Sequence, residues 1–144
     1  MENQDIQEIA SKKRFLKRYR KNLNCIVRLE DKLALLENKL SSVRSPNLSG
    51  MPRGGAPVTT ADLVADKIDL ENRIKRLKGK GKNLKDEILE EIDSLDEPRY
   101  IAILEAFFID CLSIEEIAEN EGYTVRHVYT IYHDAVRALT LKEQ

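Results

Sequence analysis

The sequence has no tryptophan, only two cysteines and no long run of apolar residues. Aromatic residues make up 6% of the 144 residues, whereas charged residues make up 34%. This balance is typical of long, solvent-exposed helices and argues against a thick globular core. No segment is apolar enough to span a bilayer, and the first ten residues lack the pattern of a signal peptide. The sequence therefore predicts a cytoplasmic protein with no membrane partner.

The residues that bind metals or form catalytic centres are also few. Cys25 and Cys111 lie far apart in the sequence, and the chain has only two histidines. Their spacing fits no zinc motif, so we expect two reduced thiols, no metal and no other cofactor. The sequence also lacks a phosphate-binding glycine loop and a nucleophile elbow. The protein is therefore not predicted to be an enzyme.

Prolines and glycines are concentrated in one segment. Three of the four prolines and three of the six glycines lie in residues 44–59, so no helix can run through them. Apolar residues recur at intervals of three and four on either side. This predicts one long helix over about residues 4–43 and a second that is capped at Thr60. The narrow stripes favour an antiparallel coiled-coil hairpin over residues 1–95. The alternative is parallel self-association of each helix.

The two stripes define the register of this hairpin. The first consists of Leu16, Tyr19, Leu23, Ile26, Leu29, Leu33, Leu36, Leu40 and Val43. The second consists of Leu63, Leu70, Ile74, Leu77, Leu84, Ile88 and Ile92. Residues 12–21 should then face residues 82–91, and Gly81 on the second stripe predicts a close helix approach or a local kink. Because a two-helix hairpin buries little, we expect a homodimer or a larger homo-oligomer.

Residues 112–139 have the pattern of two short helices joined by a tight turn. Ser113 is a good N-cap, and Glu116 completes the capping-box pattern. Gly122 can end the first helix with a positive φ, and Thr124 can cap the second helix. A helix placed this way after a short turn suits the major groove of DNA.

The second of these helices has an apolar face and a polar face. Its inward residues are Val128, Ile131, Ala135 and Leu139. The candidate DNA-binding residues are Thr124, Val125, Arg126, His127, Tyr129, Thr130, His133 and Arg137. Arg126 is the best candidate for reading a base, because a guanidinium can contact guanine with two hydrogen bonds. Tyr132, beside the apolar stripe, is expected to pack inside.

Residues 112–139 resemble the helix-turn-helix of sigma factor region four. The resemblance rests on Leu112, Ser113, Glu116, Ile117, Ala118, Gly122, Thr124, Val128, Ile131, Ala135 and Leu139. It implies a C-terminal helix-turn-helix domain over residues 96–144, with base contacts at positions 125, 126 and 130. The base-contact positions carry Val125, Arg126 and Thr130, whereas sigma factors commonly carry Arg, Glu and Gln, so the resemblance implies the docking mode but not the base code. Two further features depart from the pattern. Cys111 stands where a glycine is usual, and Phe107-Phe108 stand where an arginine-aromatic pair is usual.

A net charge of −1 conceals an uneven distribution. Residues 1–59 hold 12 basic and 6 acidic side chains, whereas residues 96–144 hold 4 basic and 10 acidic ones. Residues 11–21 and 73–85 each contain seven lysines and arginines. One interpretation is that these runs contact phosphates; the other is a solvated, salt-bridged face. The candidate auxiliary phosphate contacts are Lys13, Arg14, Lys17, Lys78, Lys80 and Lys82.

The segment Met51–Gly55, between two long helices and upstream of the helix-turn-helix, resembles a family of small phage proteins. That family includes late-gene transcriptional activators of the ArpU and RinA type. The resemblance implies an all-α, sequence-specific regulator of phage or prophage origin that binds double-stranded DNA in the bacterial cytosol and activates late or packaging genes. Two alternatives stay open. One is a small terminase subunit for DNA packaging, and the other is a protein whose sigma-like domain contacts RNA polymerase.

Overall fold

A computed structural model describes residues 2–44 and 59–141, without the side chains of residues 43 and 44. The predicted Met51–Gly55 loop and the Val43 side chain lie outside the described residues. The helices are α1 (Glu2–Arg44), α2 (Thr60–Asp93), α3 (Pro98–Phe108), α4 (Ile114–Glu121) and α5 (Val125–Ala138). These ranges contain no strand, which confirms the predicted all-α class. Across them, no helix combines the length and the apolar character that a membrane span requires.

The N-terminus of α2 differs by one residue from the prediction. The hydroxyl of Thr59 accepts a hydrogen bond from the backbone N–H of Asp62 at 3.1 Å. Thr59 is therefore the capping residue, and Thr60, which was predicted as the cap, is already helical. Either threonine could supply a capping hydroxyl, so the sequence alone does not distinguish them. Thr59 makes the cap because it stands three residues before Asp62, whose N–H has no partner within the helix.

The described residues form two compact units. One contains α1 up to Asn22 together with the chain from Gly81 onward, and the other is Leu23–Lys80. The predicted boundary at residues 95/96, between a hairpin and a C-terminal domain, stays a prediction. The two compact units are defined by packing and do not divide the chain at that boundary.

In the unit Leu23–Lys80, α1 and α2 run antiparallel. Glu37 pairs with Lys67 at 3.9 Å, and Glu30 pairs with Lys78 at 3.7 Å. As the residue number on α1 decreases, the number of its partner on α2 increases, as antiparallel helices require. The core of this unit is small. Its buried cluster consists of Ile26, Leu29 and Ile74, with Leu33, Leu70 and Leu77 packed against them. Leu40 and Leu63 are also buried but lie outside this cluster.

The other unit holds the main hydrophobic core. Side chains with no exposed surface come from α1, α2, α3 and α5: Leu16, Ile88, Ile92, Leu104, Phe108, Val128 and Ala135. Ile117 of α4 is 1% exposed and belongs to the same cluster. The three C-terminal helices therefore share one core with the start of α1 and the end of α2.

Gly81 lies against Asn22 in this unit. A methyl group at Gly81 would collide with the amide oxygen of Asn22, and α2 continues through this point as a helix. Close approach, one of the two predicted explanations, accounts for the glycine. The Arg18–Glu87 pair at 3.2 Å agrees with the predicted register. The buried Asn22 oxygen has no hydrogen-bond partner among the described residues.

Candidate nucleic-acid interface

A left-handed residue shapes the turn that leads into α4. Cys111 has φ 58°, and the N–H of Leu112 then reaches back to the carbonyl of Ala106 at 3.0 Å. An L-residue in this conformation costs roughly 1–2 kcal/mol, which glycine avoids. The backbone thus keeps the shape that glycine usually provides here, although a cysteine occupies the position.

The start of α4 is capped by Ser113. Its hydroxyl oxygen accepts a hydrogen bond from the Glu116 N–H at 3.1 Å and its hydroxyl donates to the Glu116 carboxylate at 3.1 Å. The predicted capping pair therefore forms. However, the carboxylate contacts the Ser113 hydroxyl, whereas a full capping box uses the backbone N–H of the capping residue.

The turn between α4 and α5 is closed at both ends. Gly122 has φ 72° and ψ 30°, in the left-handed region. The N–H groups of Gly122 and Tyr123 both donate to the carbonyl of Ala118. The hydroxyl of Thr124 accepts from the N–H of His127 at 3.1 Å. Both predicted caps are confirmed, and three residues separate the helices, as in helix-turn-helix motifs.

The faces of α5 separate as its sequence predicts. Its inward residues Val128, Ile131, Ala135 and Leu139 are at most 4% exposed. Tyr132, expected to pack, is 7% exposed. All eight candidate DNA-binding side chains lie on the exposed surface: Thr124, Val125, Arg126, His127, Tyr129, Thr130, His133 and Arg137. The structure therefore leaves the whole predicted set accessible, and we call these eight residues the α5 outer face.

Thr130 has a restricted role on the α5 outer face. Its hydroxyl donates to the backbone carbonyl of Arg126 at 3.1 Å. The hydrogen is thus used within the helix, and the side chain presents acceptor lone pairs and a methyl group outward. Those groups suit an exocyclic amino group or a thymine methyl in the major groove.

Aromatic rings join the α5 outer face to the core. The rings of Tyr129 and His133 stack with centroids 6.5 Å apart, and Tyr132 meets His133 edge-on at 5.3 Å. Burial raises the pKa of the Tyr132 hydroxyl above its usual value, an effect that the positive charge of Arg20 partly offsets. Tyr132 therefore keeps its hydroxyl proton near pH 7, and its buried ring packs against the exposed ring of His133.

The first helix supplies cations to the same unit. The Lys13 ammonium lies 5.6 Å from the centre of the Tyr132 ring, and the Arg20 guanidinium lies 4.7 Å from that of Phe107. Phe107 belongs to the pair that replaces the usual arginine-aromatic pattern. A guanidinium from α1 therefore lies at the end of α3 where the usual pattern would have an arginine of its own.

Two of the residues that hold α1 in place were not among the predicted site residues. Arg20 lies seven residues after Lys13, on the same face of α1, and that spacing could have identified it. Lys12 is buried and donates to the backbone carbonyl of Arg137 at 2.9 Å. Lys12 precedes Leu16 by one helical turn, so extending the apolar stripe backward would have found it. It places a cation at the C-terminal end of α5, where the helix dipole favours positive charge.

The auxiliary phosphate candidates divide between the units. Lys13, Arg14, Lys17 and Lys82 belong to the unit that contains α5, whereas Lys78 and Lys80 belong to Leu23–Lys80. Lys78 is ion-paired with Glu30. Lys13 is half-buried, and the remaining candidates are exposed: Arg14, Lys17, Lys80 and Lys82.

The exposed surface of α4 is acidic. Its outward side chains include Glu115, Glu116, Glu119 and Glu121.

Within residues 2–44 and 59–141, no three His, Cys, Asp or Glu side chains are grouped so that they could hold a metal ion. Comparison with known proteins finds no matching family model, no matching curated protein and no matching solved structure.

Proposed function

We propose that this protein is a sequence-specific regulator of transcription, of phage or prophage origin, that binds double-stranded DNA. The observation that carries this proposal is the α5 outer face, eight exposed residues that begin at the cap of a three-residue turn. Seven of them are polar, aromatic or cationic, and the eighth is Val125. Activation of late or packaging genes rests on the resemblance of Met51–Gly55 and its context alone.

In the proposed complex, the first two turns of α5 enter the major groove. Arg126 and Thr130 lie one turn apart, so they can reach neighbouring base pairs. The guanidinium fork would read guanine, and Thr130 would accept from an amino group. Val125, which is 39% exposed, would contact a thymine methyl.

The basic run of α1 would compensate for the acidic C-terminal helices. Residues 96–144 carry six more acidic than basic side chains, and phosphate neutralisation supplies most non-specific affinity for DNA. Lys13 and Arg20 pack on the aromatic side chains of α5 and α3. Together with Arg14 and Lys17, they would form a cationic strip that contacts the DNA backbone.

Selection of binding sites from random double-stranded DNA, with the full chain, tests this proposal. The chain should enrich a defined sequence, and Arg126→Ala should then lose about 1–3 kcal/mol of affinity for that sequence but much less for random DNA. Arg99→Ala is the matched control, because Arg99 is an exposed arginine on α3, paired with Glu97 at 3.2 Å.

The possible outcomes separate the roles of Arg126. An equal loss on both DNAs would demote Arg126 to a phosphate contact. If the full chain enriches no sequence and binds no duplex DNA at low salt, the proposal fails.

One observation favours a second candidate, contact with RNA polymerase. The acidic surface of α4 suits a basic protein surface better than DNA. Footprinting with and without polymerase separates the two. Protection of DNA by the purified chain alone supports direct reading, whereas protection that requires polymerase supports the second candidate.

A further inference from the structure

An apolar groove runs along one edge of the hairpin in the unit Leu23–Lys80. It encloses about 530 Å³, and Leu36 and Leu70 contribute to its lining. Leu35 also lines this groove and is 64% exposed. Exposed leucines are common singly, but Leu35 is contiguous with Leu36 and Leu70 of the groove, and such a contiguous apolar patch is a candidate contact surface.

The charges along the groove are separated by helix. Lys32 and Lys39 lie on the α1 side, whereas Asp66 and Asp69 lie on the α2 side, next to Arg73. None of these five forms an ion pair with another described residue. The ion pairs between the two helices of this unit involve Glu30 and Glu37, which lie two residues before Lys32 and Lys39 and so face about 200° away. The groove edge therefore keeps its charges available.

We propose that a second copy of this chain docks on this groove. A two-fold axis parallel to the hairpin sets α1 of one copy over α2 of the other. Lys39 then meets Asp66 of the partner subunit, and the reverse pair forms by symmetry. Such self-complementarity is what an isologous interface requires. The two Leu35 side chains are covered together.

Other occupants fit less well. DNA fits less well because the three cations of the groove are accompanied by two carboxylates, Asp66 and Asp69, which would face its phosphates. A second hairpin would also enlarge the small core of this unit, whose buried cluster consists of Ile26, Leu29 and Ile74. Two helices alone bury little apolar surface, and four helices bury both groove edges.

Charge exchange on the full chain tests the interface by sedimentation equilibrium. The wild type should be a dimer. Lys32→Glu/Lys39→Glu and Asp66→Lys/Asp69→Lys should each weaken the dimer by about tenfold or more, because like charges then face each other. Mixing the two variants should restore a one-to-one dimer. A chain that carries all four substitutions should dimerise by itself, which separates loss of the interface from loss of folding.

Ile68→Glu is the matched control. Ile68 is 52% exposed but does not line the groove, so its substitution should leave the mass unchanged. A monomeric wild type would overturn the proposal, as would a dimer that neither charge variant weakens. A closed ring of many subunits would also overturn it, because rings need a head-to-tail interface.

Discussion

At Cys111 a single side chain opposes the backbone that it must adopt. A cysteine with φ 58° pays a steric cost that glycine does not. Cys111→Gly should therefore raise the free energy of unfolding by about 0.5–1 kcal/mol, after the larger unfolded-state entropy of glycine is subtracted. Urea denaturation of the full chain measures this change.

Cys25→Gly is the natural control for this substitution, since Cys25 is an exposed residue within α1. The same exchange there should lower stability, because glycine is the poorer helix former. If Cys111→Gly also destabilises, the turn gains more from the thiol than it loses to its conformation.

Individual residues also show which structural features could be predicted from the sequence and which could not. The caps at Ser113, Gly122 and Thr124 were predictable because each depends on neighbours within four residues. The burial of Lys12 was not, because its partner is the Arg137 carbonyl, 125 residues away. A periodic pattern identifies a buried face but not the group that a lysine on that face will meet.

Between elements, α2 approaches α1 closely at Gly81. Gly81→Ala should lower the free energy of unfolding by about 1–3 kcal/mol, since the methyl group collides with the Asn22 amide. Adding Asn22→Ala should recover most of this loss, because it removes both the collision and a buried, unpaired oxygen. Thermal unfolding followed by circular dichroism measures both changes.

Gly79→Ala provides the contrast two residues earlier in the same helix. A methyl group at Gly79 would meet nothing within 4 Å, so it should stabilise α2 by up to about 1 kcal/mol. Equal effects at the two glycines would mean that helix propensity, and not the approach of α1, governs both positions.

The start of α1 also supplies positive charge that is proposed to contact DNA phosphates. Neutralising Lys13, Arg14 and Lys17 to glutamine should weaken specific and non-specific DNA binding alike and reduce the salt dependence, because fewer counterions are released. Affinity measured over a series of salt concentrations gives the slope. Lys67→Gln is a control, because Lys67 is already paired with Glu37 and Glu71. An unchanged slope would identify the α1 run as a solvated face.

For the molecule as a whole, the shared core limits what can be removed. Leu16, Ile88 and Ile92 belong to the same buried cluster as the residues of α3, α4 and α5. A fragment of residues 96–144 loses these partners, so we expect it to lack a cooperative thermal transition and to bind DNA weakly. Circular dichroism and the affinity of the fragment check this.

The complementary variant replaces residues 23–80 by a short glycine-serine turn between Asn22 and Gly81, whose contact already brings the two helices together. It should keep a cooperative transition and the DNA affinity of a single α5. A fragment of residues 96–144 that matched this variant in stability and affinity would show that α1 and α2 are dispensable for reading DNA.

At this scale the sequence predicted the helices and their stripes, since both follow from local periodicity. It did not predict that the start of α1 shares a core with α5. Leu16 looks like any other member of the first stripe, and nothing in the pattern shows that α3–α5 will cover it. The choice between partners is made by tertiary packing, which a repeat of three and four residues does not encode.

The contact between Lys12 and Arg137 also has a consequence for biosynthesis. α1 leaves the ribosome before α5, so its start must wait for α5 before Lys12 can make this contact, while Leu23–Lys80 can assemble from residues already made. Leu16 therefore stays uncovered until α3, α4 and α5 have been made, a period in which chaperones can bind it. The helix proposed to read DNA is made after the other helices of this core, and its arrival closes the core, so a chain that stops before α5 cannot present a finished reading surface to DNA.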